Sequence, residues 1–268
     1  MIETVGIIGA GNMGAAIVRG LVAAQIILPE SITATDIDET RLEKLAADPG
    51  INTTTSLKTL TRAGDAVILA VKPQSMEKLL RQLAFHLTPE HLVISIAAGI
   101  STGFVEQRLP SETRVVRVMP NTPAMVRAGA AALCRGCRAT DEDMEFAMRL
   151  FSALGTAVIV EEEQMDAVTA LSGSGPAYFF YLAEKLRQAA VEHGLPEKDA
   201  DELVRQTLYG AGKLLCDTGA APEELRTRVT SKGGTTAAAV GVFEEADLSN
   251  IIARALAAAV ARSKELGL

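Results

Sequence analysis

Short apolar runs and one-sided helical stretches take turns along the first 160 or so residues. Residues 2–8 are apolar and β-branched and stop at Gly9, the pattern of a strand covered on both faces. Ile17, Val18 and Leu21 then fall on one side of a helix. Residues 31–36 read as a second strand, and residues 41–47 as a helix that stops before Pro49 and Gly50. Residues 66–71 (AVILAV), 91–96, 114–119 (RVVRVM) and 157–160 repeat the strand pattern. Strands separated by helical stretches mean βαβ units, hence a doubly wound, mainly parallel sheet.

Past Glu161 the pattern becomes wholly helical. Helices are predicted from Ser174 to about His193, then over residues 199–217, 222–229, 236–245 and 249–265. Pro176, Gly194, Pro196 and Gly219 supply their starts and stops. An α/β domain over residues 1–162 is therefore followed by an all-helical domain over residues 163–268.

Composition narrows the class. Of 268 residues 48% are hydrophobic and 22% charged, so the chain folds. A net charge of −7 gives no global attraction to nucleic acid or anionic membrane. The N-terminal apolar run has no basic flank, and the apolar stretch 251–261 is interrupted by Arg254. Neither suits a secretory leader or a spanning helix, and a soluble cytoplasmic protein is expected. Cys134, Cys137 and Cys216 give one CxxC and one orphan, too few ligands for a structural zinc, so no metal site is expected.

Gly9-Ala10-Gly11-Asn12-Met13-Gly14 is GxGxxG set between a strand and a helix. The first glycine permits a tight turn and the second admits a pyrophosphate to the backbone. The third lets helix and strand pack closely, and the helix N-terminus supplies N–H donors. Asp36 ends the next strand 22 positions after Gly14. A carboxylate there accepts from the adenosine ribose hydroxyls and repels a 2′-phosphate, so Asp36 leans toward NADH without excluding NADPH. Thr35 or Arg41 could instead receive a phosphate, and Asp36 could merely cap the following helix. Ala70-Val71-Lys72-Pro73, Ala97-Ala98-Gly99 and Asn121, within MPNTP, follow other strands and should border the ribose and nicotinamide.

Two clusters, Ser172 to Pro176 and Thr230 to Thr236, each put hydroxyls, glycines and bare N–H groups at a predicted helix N-terminus. A cap needs one hydroxyl, whereas the second cluster has four, which favours a small carboxylate ligand. His86, His91 and His193 lie outside these loops, in stretches that read as surface. Carbonyl reduction normally needs a proton donor. A protonated C=N does not, so a site of hydroxyls and N–H groups suits imine reduction.

The run Pro222-x-x-Leu225-x-x-x-Val229-Thr230-Ser231-x-Gly233-Gly234-x-Thr236-x-x-Ala239-Val240-x-x-Phe243-Glu244 resembles the signature of pyrroline-5-carboxylate reductases. GAGNMG, AVKPQ, SIAAG, MPNTP and LSGSGPAYFF agree with that family in order and spacing. The resemblance implies a Rossmann domain and a helical domain that interleaves with a second subunit, as dimers or pentamers of dimers. It implies reduction of Δ1-pyrroline-5-carboxylate to L-proline by NAD(P)H, the last step of proline biosynthesis. By it, Gly9 to Gly14 hold the pyrophosphate, Val71, Lys72 and Pro73 line the nucleotide, and Ala97, Ala98 and Asn121 adjoin the nicotinamide. Ser174, Ser231, Gly233, Gly234, Thr235 and Thr236 form the substrate site, with Thr236 the hydroxyl nearest the ring nitrogen. The substrate pocket would draw on both subunits. Asp36 stands where many relatives carry small polar residues, and Lys232 where a proline is common. A β-hydroxyacid dehydrogenase would need a lysine four residues past Gly175, where this chain has Phe179. Reduction of another cyclic imine, or a dinucleotide sensor without catalysis, are the remaining alternatives.

Overall fold

The structure is a computed structural model that describes residues 2–47 and 50–267. Pro49, expected to mark the end of the second helix, lies outside these residues. β1 (Val5–Ile8) leads through a glycine turn into α1 (Asn12–Ala23), followed by β2 (Ile32–Thr35), α2 (Glu39–Ala47), β3 (Asn52–Thr53) and α3 (Leu57–Ala63). Next come β4 (Ala66–Leu69), α4 (Pro73–Leu83), β5 (Leu92–Ser95), α5 (Thr102–Glu106) and β6 (Arg114–Met119). β7 (Gly129–Arg135), α6 (Asp141–Ser152) and β8 (Gly155–Ile159) complete an eight-stranded sheet in the order β3-β2-β1-β4-β5-β6-β7-β8. Every pairing is parallel except β6 with β7.

β1, β2, β4 and β5 are buried at every position because helices cover both faces of the sheet. Alternate residues serve alternate faces. Val5, Ile7 and Ile68 pack with Leu21 of α1, Leu45 of α2 and Phe151 of α6. Ile8, Val67 and Val93 pack with Leu60 of α3, Leu80 of α4 and Val105 of α5. Truncating one of these wholly buried leucines to alanine removes about 2–5 kcal/mol of stability. The expected strands lie where the pattern put them, each within three residues of its predicted ends. β3 and β7 are additions that the pattern did not announce.

After β8 come α7 (Met165–Val168), a π-helical turn (Thr169–Gly173), α8 (Gly175–Glu192), α9 (Glu197–Thr218), α10 (Pro222–Arg228), α11 (Thr235–Glu245) and α12 (Leu248–Leu266). The chain divides into two compact units. One holds everything to Ser174 together with the chain from Ala259 on, and the other is Gly175–Ala258. Within the first, Ser263 of α12 donates to Asp166 Oδ1 at 2.6 Å.

Within the second, α8 and α9 pack together, and α9 ends at Gly219 in the left-handed region. Among its described residues Ala200 is the one fully buried hydrophobic side chain, while Tyr178, Phe180, Leu203, Tyr209 and Ile252 are exposed. A helical unit that leaves its aromatic and aliphatic faces in water has the composition of an interface. Among the described residues no helix is long and apolar enough to cross a membrane.

Candidate active site

The glycine turn after β1 is fixed by sterics. Gly9 sits at φ +110°, where a Cβ would run into the Ala70 carbonyl oxygen. Its N–H donates to the Thr35 carbonyl at 2.8 Å. A Cβ on Gly14 would overlap the Gly9 carbonyl oxygen, so only glycine lets α1 approach β1 this closely. Gly11 differs: the nearest atom to a Cβ there is Arg41 Nη1, at 3.9 Å, so its face is open. Gly11 is also the N-cap of α1, with no side-chain cap and no acidic residue in the first turn. The uncompensated N–H groups beside an open glycine face form a cradle that fits a pyrophosphate.

Asp36 follows β2 and fastens this turn. Its Oδ2 accepts the Ala10 N–H at 2.6 Å and its Oδ1 accepts the Asp38 N–H at 2.9 Å. It does not cap α2; Asp38 does, accepting from Thr40 N at 3.1 Å. The Thr40 hydroxyl beside it lowers the Asp38 carboxyl from its ordinary value, helped by the Thr40 N–H and Arg41 and opposed by burial. Arg41 is exposed and pairs with Asp38 at 3.1 Å.

The strand order reverses beside β1, whose neighbours are β2 and β4. A dinucleotide over the carboxyl ends of such a sheet extends to both sides of that point. Asp36 lies on one side. Ala70 to Pro73 after β4, Ala97 to Gly99 after β5 and Asn121 after β6 lie on the other. Lys72 is exposed at the N-cap of α4, with Pro73 in its first turn. Gly99 has φ +75°, and a Cβ there would sit 3.1 Å from Gly267 N, so its glycine serves a close approach by the end of α12. The Asn121 carboxamide bridges two elements: Nδ2 donates to the Ser172 carbonyl at 3.1 Å, and Oδ1 accepts the Ala130 N–H at 2.9 Å.

The two hydroxyl clusters differ. Ser174 is not at an open helix start, because its N–H donates to the Thr169 carbonyl at 2.8 Å and the π-helical turn continues directly from α7. The expectation of bare N–H groups at 172–176 is corrected accordingly. The 230–236 cluster keeps its open end. Gly233 stands at φ +72°, Gly234 caps α11 without any side-chain cap, and Gly234 N donates to the Ser231 carbonyl at 3.0 Å. The Thr230 hydroxyl is spent on the Arg226 carbonyl at 2.7 Å. Those of Ser231, Thr235 and Thr236 make no hydrogen bond among the described residues. This loop can therefore offer three hydroxyls and first-turn N–H groups to an anion.

The histidines serve elsewhere. His193 is exposed and His86 half-buried. His91, expected at the surface, is a half-buried strut, with Nε2 2.8 Å from the Thr61 carbonyl oxygen and Nδ1 accepting the Thr88 N–H at 2.9 Å. Among the described residues no group of three or more histidine, cysteine or acidic side chains could hold a metal ion. Arg117 and Glu162 were not among the residues singled out from the sequence; buried Arg117 pairs with half-buried Glu162 beside the segment after β5. The signal was an arginine inside the apolar run RVVRVM, since a buried charge needs a partner.

Known proteins resemble this chain over its whole length. Residues 162–266 match the pyrroline-5-carboxylate reductase dimerisation family, and residues 4–99 match the family described as NADP oxidoreductase coenzyme F420-dependent. A pyrroline-5-carboxylate reductase of Methanosarcina acetivorans is 45% identical over 265 residues, covering 99% of this chain and 98% of that one. A solved pyrroline-5-carboxylate reductase of Coxiella burnetii superposes with a TM-score of 0.93 at 38% identity, covering 99% of both chains. The Plasmodium falciparum pyrroline carboxylate reductase, solved with NADP bound, gives a TM-score of 0.88 at 30% identity over 99% of this chain and 98% of that one. By this full-length similarity and the matched dimerisation region, the chain belongs to the pyrroline-5-carboxylate reductase family.

Proposed function

We propose that this chain reduces the C=N of Δ1-pyrroline-5-carboxylate with NADH or NADPH, giving L-proline. The observation that carries the reading is the uncapped start of α11, with three uncommitted hydroxyls next to a left-handed glycine. Gly9, Ala10, Gly11, Asn12, Met13 and Gly14 hold the pyrophosphate. Asp36 faces the adenosine ribose, with Thr35 beside it as the alternative phosphate ligand, and Ala70 to Pro73, Ala97 to Gly99 and Asn121 flank the nicotinamide side. Bound there, the reduced nicotinamide supplies a hydride for the imine carbon.

Ser231, Gly233, Gly234 and Thr235 take the substrate carboxylate through hydroxyls and backbone N–H groups, and Ser174 adds a polar contact. The Thr236 hydroxyl accepts from the protonated ring nitrogen and keeps the iminium aimed. Hydride addition neutralises that nitrogen, so no histidine or lysine is required beside it.

The region 163–268 acts as the dimerisation and substrate-binding domain, after a nucleotide-binding domain over 1–162. The matched dimerisation family and the uncovered apolar faces of α8, α9 and α12 support a homodimer, and pentamers of dimers follow the wider family resemblance. Three unbridged cysteines suit a cytoplasmic setting, and the net charge of −7 argues against nucleic acid or membrane as partners. Thr236→Val tests the catalytic reading. An enzyme loses about tenfold or more in kcat/KM for the imine while its nucleotide affinity holds. Unchanged turnover would remove Thr236 from the chemistry, and a wild-type chain that binds nucleotide without turnover would be a sensor.

A further inference from the structure

Behind the segment that follows β5 lies a part-buried polar cluster that the reaction itself does not use. Arg117 on β6 is 4% exposed, and its Nη1 donates to Glu162 Oε1. The other oxygen, Oε2, accepts the Thr102 hydroxyl at 2.7 Å, the Thr102 N–H at 3.1 Å and the Cys134 thiol at 3.4 Å. One carboxylate thus joins β6, β7, the first residue of α5 and the 3-10 turn Glu162–Gln164. Arg117 is paired in register with Ser95 on β5 and with Cys134 on β7, so the three side chains share one face of the sheet. Arg117 Nη2 and the Ser95 hydroxyl are buried without a hydrogen-bond partner.

Such a cluster is costly. Arg117 is taken almost wholly out of water, and a buried charge with its partner gains little net stability over apolar packing of the same volume. Its retention calls for a use in geometry. The segment Ala97 to Ser101 spans the gap between the end of β5 and Thr102. At its start the Ile96 N–H is held by the Leu69 carbonyl at 3.1 Å. In its middle Gly99 abuts Gly267. At its end Thr102 is held by two bonds to Glu162, and Glu162 is held by Arg117 from within the sheet. The other bonds at that end are local: Ser101 accepts the Phe104 N–H on its hydroxyl at 3.1 Å and the Val105 N–H on its carbonyl at 3.3 Å, and the Ile100 N–H donates to the Ala97 carbonyl at 3.4 Å.

We propose that Glu162, anchored by Arg117 and bonded to Thr102, is a positioning residue that fixes the Ala97–Ser101 segment against the nicotinamide half of the dinucleotide. The inference rests on the nucleotide reading above, which places that segment on the nicotinamide side of the strand-order reversal. It divides the ligand in two. The adenosine half lies over β2 and the glycine turn, which the cluster does not touch, whereas the nicotinamide half depends on it.

The test compares the full-length wild type with Thr102→Val and Glu162→Gln. The first removes one hydroxyl at nearly constant volume, and the second removes the charge opposite Arg117. Binding of the reduced dinucleotide is read from its own fluorescence, which no tryptophan complicates because the chain has none. ADP-ribose, which lacks the nicotinamide, is measured by competition, and kcat and both KM values are taken alongside. Both variants should weaken dinucleotide binding about five- to tenfold and raise its KM in step. ADP-ribose affinity and the KM for the imine should stay within about twofold of wild type. Equal weakening of both ligands, or of neither, overturns the proposal and leaves the cluster a stabiliser of the sheet. If Glu162→Gln does not fold, Thr102→Val decides alone. A wild type that binds neither ligand overturns the nucleotide reading itself, and with it this proposal.

Discussion

Replacing Asp36 by serine should change which reduced nucleotide the enzyme prefers. The carboxylate accepts two backbone N–H groups, from Ala10 at 2.6 Å and Asp38 at 2.9 Å. A carboxylate has about four acceptor positions, so two remain for ribose hydroxyls. Losing the bonds that fasten the glycine turn weakens NADH and NADPH alike and cancels in their ratio. Two further effects do not cancel. A hydrogen bond from a ribose hydroxyl to a charged acceptor contributes about 1.5 kcal/mol, taken at the low end because Asp36 is half-exposed. Repulsion between the carboxylate and a 2′-phosphate roughly 5 Å away adds about 1 kcal/mol in a wet site. Together they give about 2–3 kcal/mol, or a 30- to 150-fold rise in the NADPH/NADH ratio of kcat/KM on Asp36→Ser. Initial rates with both nucleotides at saturating imine measure it. A shift of less than about threefold, with both values lowered, would mean that Asp36 only fastens the turn and does not read the ribose.

Other perturbations probe separate parts of the account. Gly14→Ala places a methyl on the Gly9 carbonyl oxygen, so it should weaken nucleotide binding more than tenfold and cost about 1–3 kcal/mol of stability, read by fluorescence titration and denaturant unfolding. Asp143→Ala strips Arg114 of a partner at 2.6 Å and removes half of the capping box that opens α6. With Asp143 buried and Arg114 a quarter exposed, the loss should be about 3 kcal/mol with kcat unchanged. Burial pushes the Glu162 carboxyl up, but the Thr102 bonds and the Arg117 guanidinium outweigh it and hold the group below its ordinary value of 4.5. A depressed carboxyl contributes stability that is complete above that value and is lost as pH falls through the folded one. The acid limb of stability should therefore flatten in Glu162→Gln, and an unchanged limb in pH-dependent denaturant unfolding would refute the assignment.

Much of the architecture was written in apolar periodicity. Runs such as AVIL at β4 and VGII at β1 had to be strands covered on both faces, and Gly194, Pro196 and Gly219 punctuated the helices clearly. β7 escaped because GAAALCR is mostly glycine and alanine, which carry little strand preference; its pairing with β6 forms the strand. β3 is two exposed polar residues on a sheet edge and has no pattern to read. At the site, GxGxxG and the 230–236 cluster were legible because sterics and open N–H groups leave a residue-type signature. The Asn121 carboxamide works through a distant partner, Ser172, as well as Ala130, and the helix before Ser174 is closed by a local π-type bond to Thr169, a turn that no residue-type pattern announces. Asp36 was read toward the ribose, yet the bonds it makes within the chain go to the glycine turn and to Asp38.

The most direct test of the account is the initial rate of reduced-nicotinamide oxidation with Δ1-pyrroline-5-carboxylate, run with NADH and with NADPH and paired with proline quantification. The account predicts turnover that depends on the imine, with one proline formed per nucleotide oxidised. Nucleotide binding without oxidation by either cofactor, or oxidation without proline, would contradict it.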